Sequence, residues 1–136
     1  MERDLYPPIS RFLQNRGYYV RCEVPPCLGS QRRIDVVGSK PRKGIVAAVE
    51  AKIGNYNRVL EQACLRMFVA DFVYVSFHSS YAKKIYFEKG SELQRNGIGL
   101  ISVGERTREL ISPIQSKYVN PIRRSNLIAV MKNLEE

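Results

Sequence analysis

The chain has no tryptophan, one histidine, three cysteines, and 13 acidic residues against 22 lysines and arginines. Each shortage narrows the function. A Ser-His-Asp triad would have to use His78, and no serine stands in a Gly-x-Ser-x-Gly setting, so nucleophilic hydrolysis is disfavoured. His78 reads as a strand-end polar residue. Cys22, Cys27 and Cys64 are odd in number, which argues against a disulfide framework. Cys22 and Cys27 have no second Cys or His pair after them, which argues against zinc. Cys64 falls on an apolar helical stripe and reads as a small core residue. No run reaches the roughly 18 apolar residues of a membrane span. The opening residues, Met-Glu-Arg-Asp-Leu-Tyr-Pro-Pro, lack the basic start and apolar stretch of an export signal, so a cytoplasmic location is expected. There is no internal repeat, long linker or low-complexity segment.

What is present is a 136-residue chain, 44% apolar, long enough for one domain with a genuine core. The net charge of +9 suits a polyanionic partner, of which nucleic acid is the commonest. An acidic membrane surface suits it less, because no basic amphipathic helix carries an aromatic apolar face.

Periodicity predicts a helix over 4–16, with Leu5, Ile9, Phe12 and Leu13 on one face, Asp4 as N-cap and Gly17 as its stop. Strands are expected over 18–24, 31–38 and 44–52, close enough in sequence for an antiparallel meander. A helix over 57–69 follows, with Val59, Ala63 and Met67 in one apolar row and Leu60, Cys64 and Phe68 in the next. A strand at 71–77 then implies a parallel crossover. Residues 80–96 read as one or two helices broken near Gly90, with Lys83, Lys84, Lys89 and Arg95 on a charged face. A strand is expected at 98–103. Residues 105–136 read as a C-terminal extension, with an edge strand at 108–114 and a helix at 124–135. Leu127, Val130, Met131 and Leu134 would face inward or toward a partner chain.

The organising stretch is 32–52. Arg-Arg-Ile-Asp-Val-Val-Gly and Ile-Val-Ala-Ala-Val-Glu-Ala-Lys are β-branched runs around a basic turn at Lys40, Arg42 and Lys43. Each run carries charge where a core strand should have none. Glu50 and Lys52 share a face while Ala51 points away, because strand side chains alternate. Pairing of the two strands would bring Asp35 beside Glu50. Burying such charges is costly unless they are paired or hold a metal, and two carboxylates are the usual protein share of a Mg²⁺ site. The plain alternative is a structural salt bridge at a strand end.

At these residues the chain resembles the PD-(D/E)XK nuclease superfamily, which includes restriction endonucleases and archaeal Holliday-junction resolvases. The matching positions are Asp35, Glu50, Ala51 and Lys52, with Gln62 and Arg66 on the next helix. Asp-Leu-Tyr-Pro-Pro at 4–8 and Gly-Tyr near 17 resemble a subgroup of uncharacterised prokaryotic members. The likeness spans about residues 1–103; Ile34 stands where many members have proline.

The resemblance implies a restriction-endonuclease-like α/β sandwich, with a mixed sheet of about five strands flanked by helices. It implies Mg²⁺ or Mn²⁺ on Asp35, Glu50 and the Ala51 carbonyl. Lys52 and Gln62 would serve catalysis, together with an acidic residue of the first helix, Glu2 or Asp4; Glu2 and Asp4 equally suit a helix N-terminus. Glu23 is a further acidic candidate, or an edge charge facing solvent. Arg32, Arg33, Lys40, Arg42, Lys43 and Arg66 would hold nucleic-acid backbone; Gln62 and Arg66 are otherwise surface residues. The expected function is a metal-dependent nuclease, DNA favoured. The alternatives are an inactive nucleic-acid-binding or docking module of the same fold, and an RNA-directed phosphodiesterase. A homodimer through the C-terminal helix would suit cleavage of both strands.

Overall fold

The computed structural model describes residues 1–30 and 32–134. The expectations that Gln31 opens the second strand and that the last helix reaches Glu135 fall outside those residues. A six-stranded sheet is built in simple sequence order: β1 (Tyr19–Val24), β2 (Ile34–Lys40), β3 (Ile45–Ala51), β4 (Phe72–His78), β5 (Gly99–Val103) and β6 (Thr107–Ile111). The first three strands pair antiparallel, β3, β4 and β5 pair parallel, and β6 returns antiparallel on β5. The predicted edge strand is therefore a full sixth member of the sheet.

Four helices cover the two faces: α1 (Tyr6–Asn15), α2 (Tyr56–Arg66), α3 (Ser79–Arg95) and α4 (Pro121–Asn133). A 3₁₀ turn, Glu2–Leu5, leads into α1. Strand alternation divides the core in two. Ala47, Val49 and Ala51 pack with Ile9 and Leu13 of α1. Val46 and Ala48 join Val59, Ala63, Ile85, Leu93 and Leu127 on the other face. Both faces of β3 are thus dry, and its charged residue at position 50 lies deep in the fold.

Three local expectations are corrected. Asp4 is not an N-cap: it is the third residue of the 3₁₀ turn, its carboxylate takes the N-terminal ammonium at 3.1 Å, and α1 starts after Leu5 without a side-chain cap. α3 runs unbroken through Gly90, which is buried against Ile111 of β6. α4 begins at Pro121, three residues earlier than periodicity suggested, because Asn120 Oδ1 accepts the amides of Ile122 and Arg123. Leu127, Val130 and Met131 are buried within the chain, so the α4 face offered as a dimer contact is already covered; Leu134 remains half exposed.

Candidate active site

The β2–β3 ladder runs from Lys40↔Ile45 to Val36↔Val49. Beyond that last pair the main chain opens. The Ala51 amide donates to Asp35 Oδ2 at 2.8 Å, so a carboxylate enters where a backbone acceptor would continue the ladder. Tyr6 Oη donates to the other oxygen, Oδ1, at 3.0 Å. Asp35 is thereby fixed between the first helical segment and β3.

Glu50 sits 2% exposed at the end of β3, within hydrogen-bonding reach of Asp35. Arg66, at the C-terminal end of α2, donates from Nε to Glu50 Oε1 at 2.7 Å. Its Nη2 reaches the carbonyl of Arg33 at 3.2 Å, which ties α2 to the entry of β2. Burial, and then the negative charge of Asp35, push the Glu50 carboxyl up to about 7, against the opposing pull of Arg66. Two carboxylates this close cannot both ionise without a compensating cation or a shared proton. The Tyr6 hydroxyl is pushed upward by burial and by Asp35, which keeps it a donor at neutral pH.

Lys52 follows β3, and its amide donates to the Ser76 carbonyl of β4 at 3.1 Å. Its Nζ lies 3.7 Å from Glu2 Oε1. Of the three acidic residues left open by the sequence, Glu2 therefore reaches the site. Asp4 is exposed on the N-terminus, and Glu23 pairs with Arg3 at 3.1 Å. Asp35, Glu50, Lys52, Gln62 and Arg66 line one open cleft of about 770 Å³, with Arg32, Arg33 and Arg58 among its walls. Gln62 Oε1 is buried there with no hydrogen-bond donor among the described residues. Five cationic side chains against three carboxylates give the cleft a basic wall around an acidic floor.

Lys40, Arg42 and Lys43 do not line this cleft. They sit at the other end of β2, roughly 17 Å from Asp35 by strand rise. Lys40 instead stacks its ammonium 4.5 Å from the Tyr18 ring centroid. Tyr6, in the Asp-Leu-Tyr-Pro-Pro stretch, joins the site through Asp35 without a charge or a periodicity that marks it in the sequence. Arg66 was expected at a phosphate and is found on Glu50.

Asp35 and Glu50 are the two carboxylates a hard divalent cation would have to use, and Arg66 already holds Glu50 Oε1. Asp35 and Glu50 provide adjacent carboxylate oxygens, and Mg²⁺ commonly takes one or two carboxylates and completes its shell with water. Ala51 faces Asp35 through its amide N–H, a donor and not a metal ligand, while its side chain packs on the α1 face. Among the described residues no group of three or more His, Cys, Asp or Glu side chains suits a metal ion, so a closed all-protein centre does not fit. No helix among those residues is long and apolar enough to cross a membrane.

No family model matches the chain, and no curated protein matches it. The fold is shared with a solved structure of a protein of unknown function from Silicibacter pomeroyi. The two superpose with a TM-score of 0.68 at 21% identity, over 94% of this chain and 81% of that one.

Proposed function

We propose that this chain is a divalent-metal-dependent nuclease of the restriction-endonuclease-like superfamily, hydrolysing phosphodiester bonds, with DNA the favoured substrate. The observation that carries this reading is the meeting of Asp35, Glu50 and Lys52 in one cleft, although they come from two strands and the loop after them. Asp35 and Glu50 would hold Mg²⁺ or Mn²⁺ with the Ala51 carbonyl. The metal would supply Lewis acidity toward a phosphate oxygen and toward bound water. Lys52 would orient the attacking water and offset charge developing on phosphorus. Glu2 stands 3.7 Å from the Lys52 ammonium, and Tyr6 holds Asp35. Arg32, Arg33 and Arg58 would take flanking phosphates and confer salt-sensitive binding with little base reading.

The Glu50–Arg66 pair favours a second reading. An arginine already satisfies Glu50, so the carboxylates could be structural in a module that binds nucleic acid without cutting it.

Supercoiled plasmid and labelled duplex, branched and single-stranded oligonucleotides would be incubated with Mg²⁺, Mn²⁺ or EDTA. Metal-dependent cleavage is expected, and it should disappear in Asp35→Ala and Lys52→Ala. Binding without cutting in either metal, unchanged in both variants, would establish the second reading instead. A parallel set of RNA oligonucleotides separates DNA from RNA cleavage.

A further inference from the structure

A second feature lies next to this cleft. Residues 112–120 carry no helix or strand, yet they are pinned to the end of α2 and the loop after it. Ser116 donates its amide to the Asp71 carbonyl at 2.7 Å and its hydroxyl to the Met67 carbonyl at 2.7 Å. The Asn120 amide donates to the Phe68 carbonyl at 2.8 Å. This anchoring sets the Tyr118 ring beside Phe68, with centroids 6.3 Å apart and planes at 51°. Both rings stay open to solvent, Phe68 at 43% and Tyr118 at 60%.

A groove runs on each side of the pair. One, of about 560 Å³, has Arg95 and Lys117 on its walls; the other, of about 710 Å³, has Arg123, with Arg66 at its inner end held on Glu50. Among the described residues neither has a carboxylate in its lining. The second groove meets the Asp35 cleft at Leu65 and Arg66, which line both. Exposed aromatic faces between cations suit one kind of ligand well: an unpaired strand, whose bases stack while its phosphates pair. A blunt duplex hides its base faces and gains only the charge contacts. A second copy of the chain suits the surface poorly, because a two-fold contact would set Arg95, Lys117 and Arg123 against a patch of the same sign.

We infer that the Phe68–Tyr118 pair and its flanking grooves bind single-stranded DNA leading into or out of the Asp35 cleft. The inference rests on the nuclease reading for its choice of a DNA ligand, and it narrows the substrate to DNA with an unpaired segment.

The test is fluorescence anisotropy in EDTA, where nothing is cut. Labelled 20-residue oligo-dT and a blunt 20-bp duplex would be titrated with the full chain and with Tyr118→Ala, Phe68→Ala and Tyr118→Phe. Thermal melting would check each fold. Tyr118→Ala should weaken oligo-dT binding about tenfold and leave duplex binding within twofold, while Tyr118→Phe keeps wild-type affinity. Equal loss on both ligands, or no loss on oligo-dT, would overturn the inference. So would oligo-dT binding unchanged in these variants alongside a dimer, seen by sedimentation, that Tyr118→Ala dissociates. An oligo-U arm reports whether the platform prefers DNA; a clear preference for oligo-U would overturn the choice of DNA. Asp35→Ala should retain oligo-dT binding, so failure of cleavage and failure of strand binding are read separately.

Discussion

Arg66 and Glu50 form a buried ion pair across α2 and β3, with Nε 2.7 Å from Oε1. A guanidinium held there occupies one oxygen of a carboxylate that a divalent cation would also use. Removing it leaves Glu50 buried beside Asp35 without a counter-charge. Arg66→Ala should therefore lose about 3 kcal/mol of stability in EDTA. Part of that loss should return with Mn²⁺, because the ion meets an unpaired carboxylate. Thermal melts with and without Mn²⁺ check this: the metal-induced rise in Tm should be larger in the variant than in the parent. An equal rise in both would mean that the arginine and the metal do not compete.

Glu50 links stability to pH. Its folded-state carboxyl stands at about 7 against an ordinary 4.5, raised by burial and by Asp35. Between these values the folded chain holds a proton that the unfolded chain has released. Stability should therefore fall as pH rises from 4.5 to 7. Glu50→Gln should flatten that part of the profile, at a pH-independent cost for the buried Arg66 charge it leaves unpaired. Urea unfolding at pH 5, 6, 7 and 8 gives the slope, and an identical slope in the variant would assign it to other groups. The same proton must leave for metal to bind, so metal binding at pH 6 should release protons, measurable by calorimetry in two buffers of different ionisation enthalpy.

Much of this site was legible before the fold was known. Asp35, Glu50 and Lys52 stand out because charge interrupts two apolar β-branched runs, and alternation puts positions 50 and 52 on one face. The order of the first four strands followed from loop lengths and one helical crossover, whereas the places of β5 and β6 in the sheet did not. Partners were less legible than positions. Periodicity places Arg66 at the edge of the α2 stripe but cannot say that Glu50 is across from it. Tyr6 sits in a proline-rich turn whose path depends on how α1 crosses the sheet. The basic turn at 40–43 was drawn into the site by its charge, although Lys40 stands five strand positions from Asp35. The start of α4 was missed because its signal is the Asn120–Pro121 cap and not the apolar spacing that follows.

Tyr6 supports Asp35 from outside the carboxylate pair. Its hydroxyl donates to Oδ1 while the Ala51 amide holds Oδ2, so the carboxylate has no free rotation. Tyr6→Phe should lose about 1 kcal/mol of stability. Metal affinity should drop roughly tenfold, the usual consequence of removing a group that orients a ligand. Isothermal titration with Mn²⁺ measures the second effect, and urea unfolding the first. A stability loss with unchanged affinity would leave Tyr6 a packing residue.

Asp71 decides whether the C-terminal extension is separable. Its side chain is fully buried at the start of β4 and accepts from the Val46 amide at 2.8 Å and from Arg124 Nη1 at 2.7 Å. Gln115 Nε2 stands at 3.4 Å from the same carboxylate oxygen as Arg124. The arginine comes from α4, so the last helix neutralises a buried charge at the N-terminal end of β4. Arg124→Ala strands that charge and should destabilise by about 3 kcal/mol, or roughly 10 °C in Tm. The pair Arg16–Glu109 is a suitable comparison, since Arg16 is 45% exposed and its loss should cost under about 1 kcal/mol. Asp71→Asn in the Arg124→Ala background should recover stability, because the neutral amide leaves no unpaired charge. If the double variant is no better than Arg124→Ala, then lost packing of α4, and not the buried carboxylate, carries the cost. Either way, a large loss at Arg124 makes residues 112–134 part of the same folding unit as the cleft.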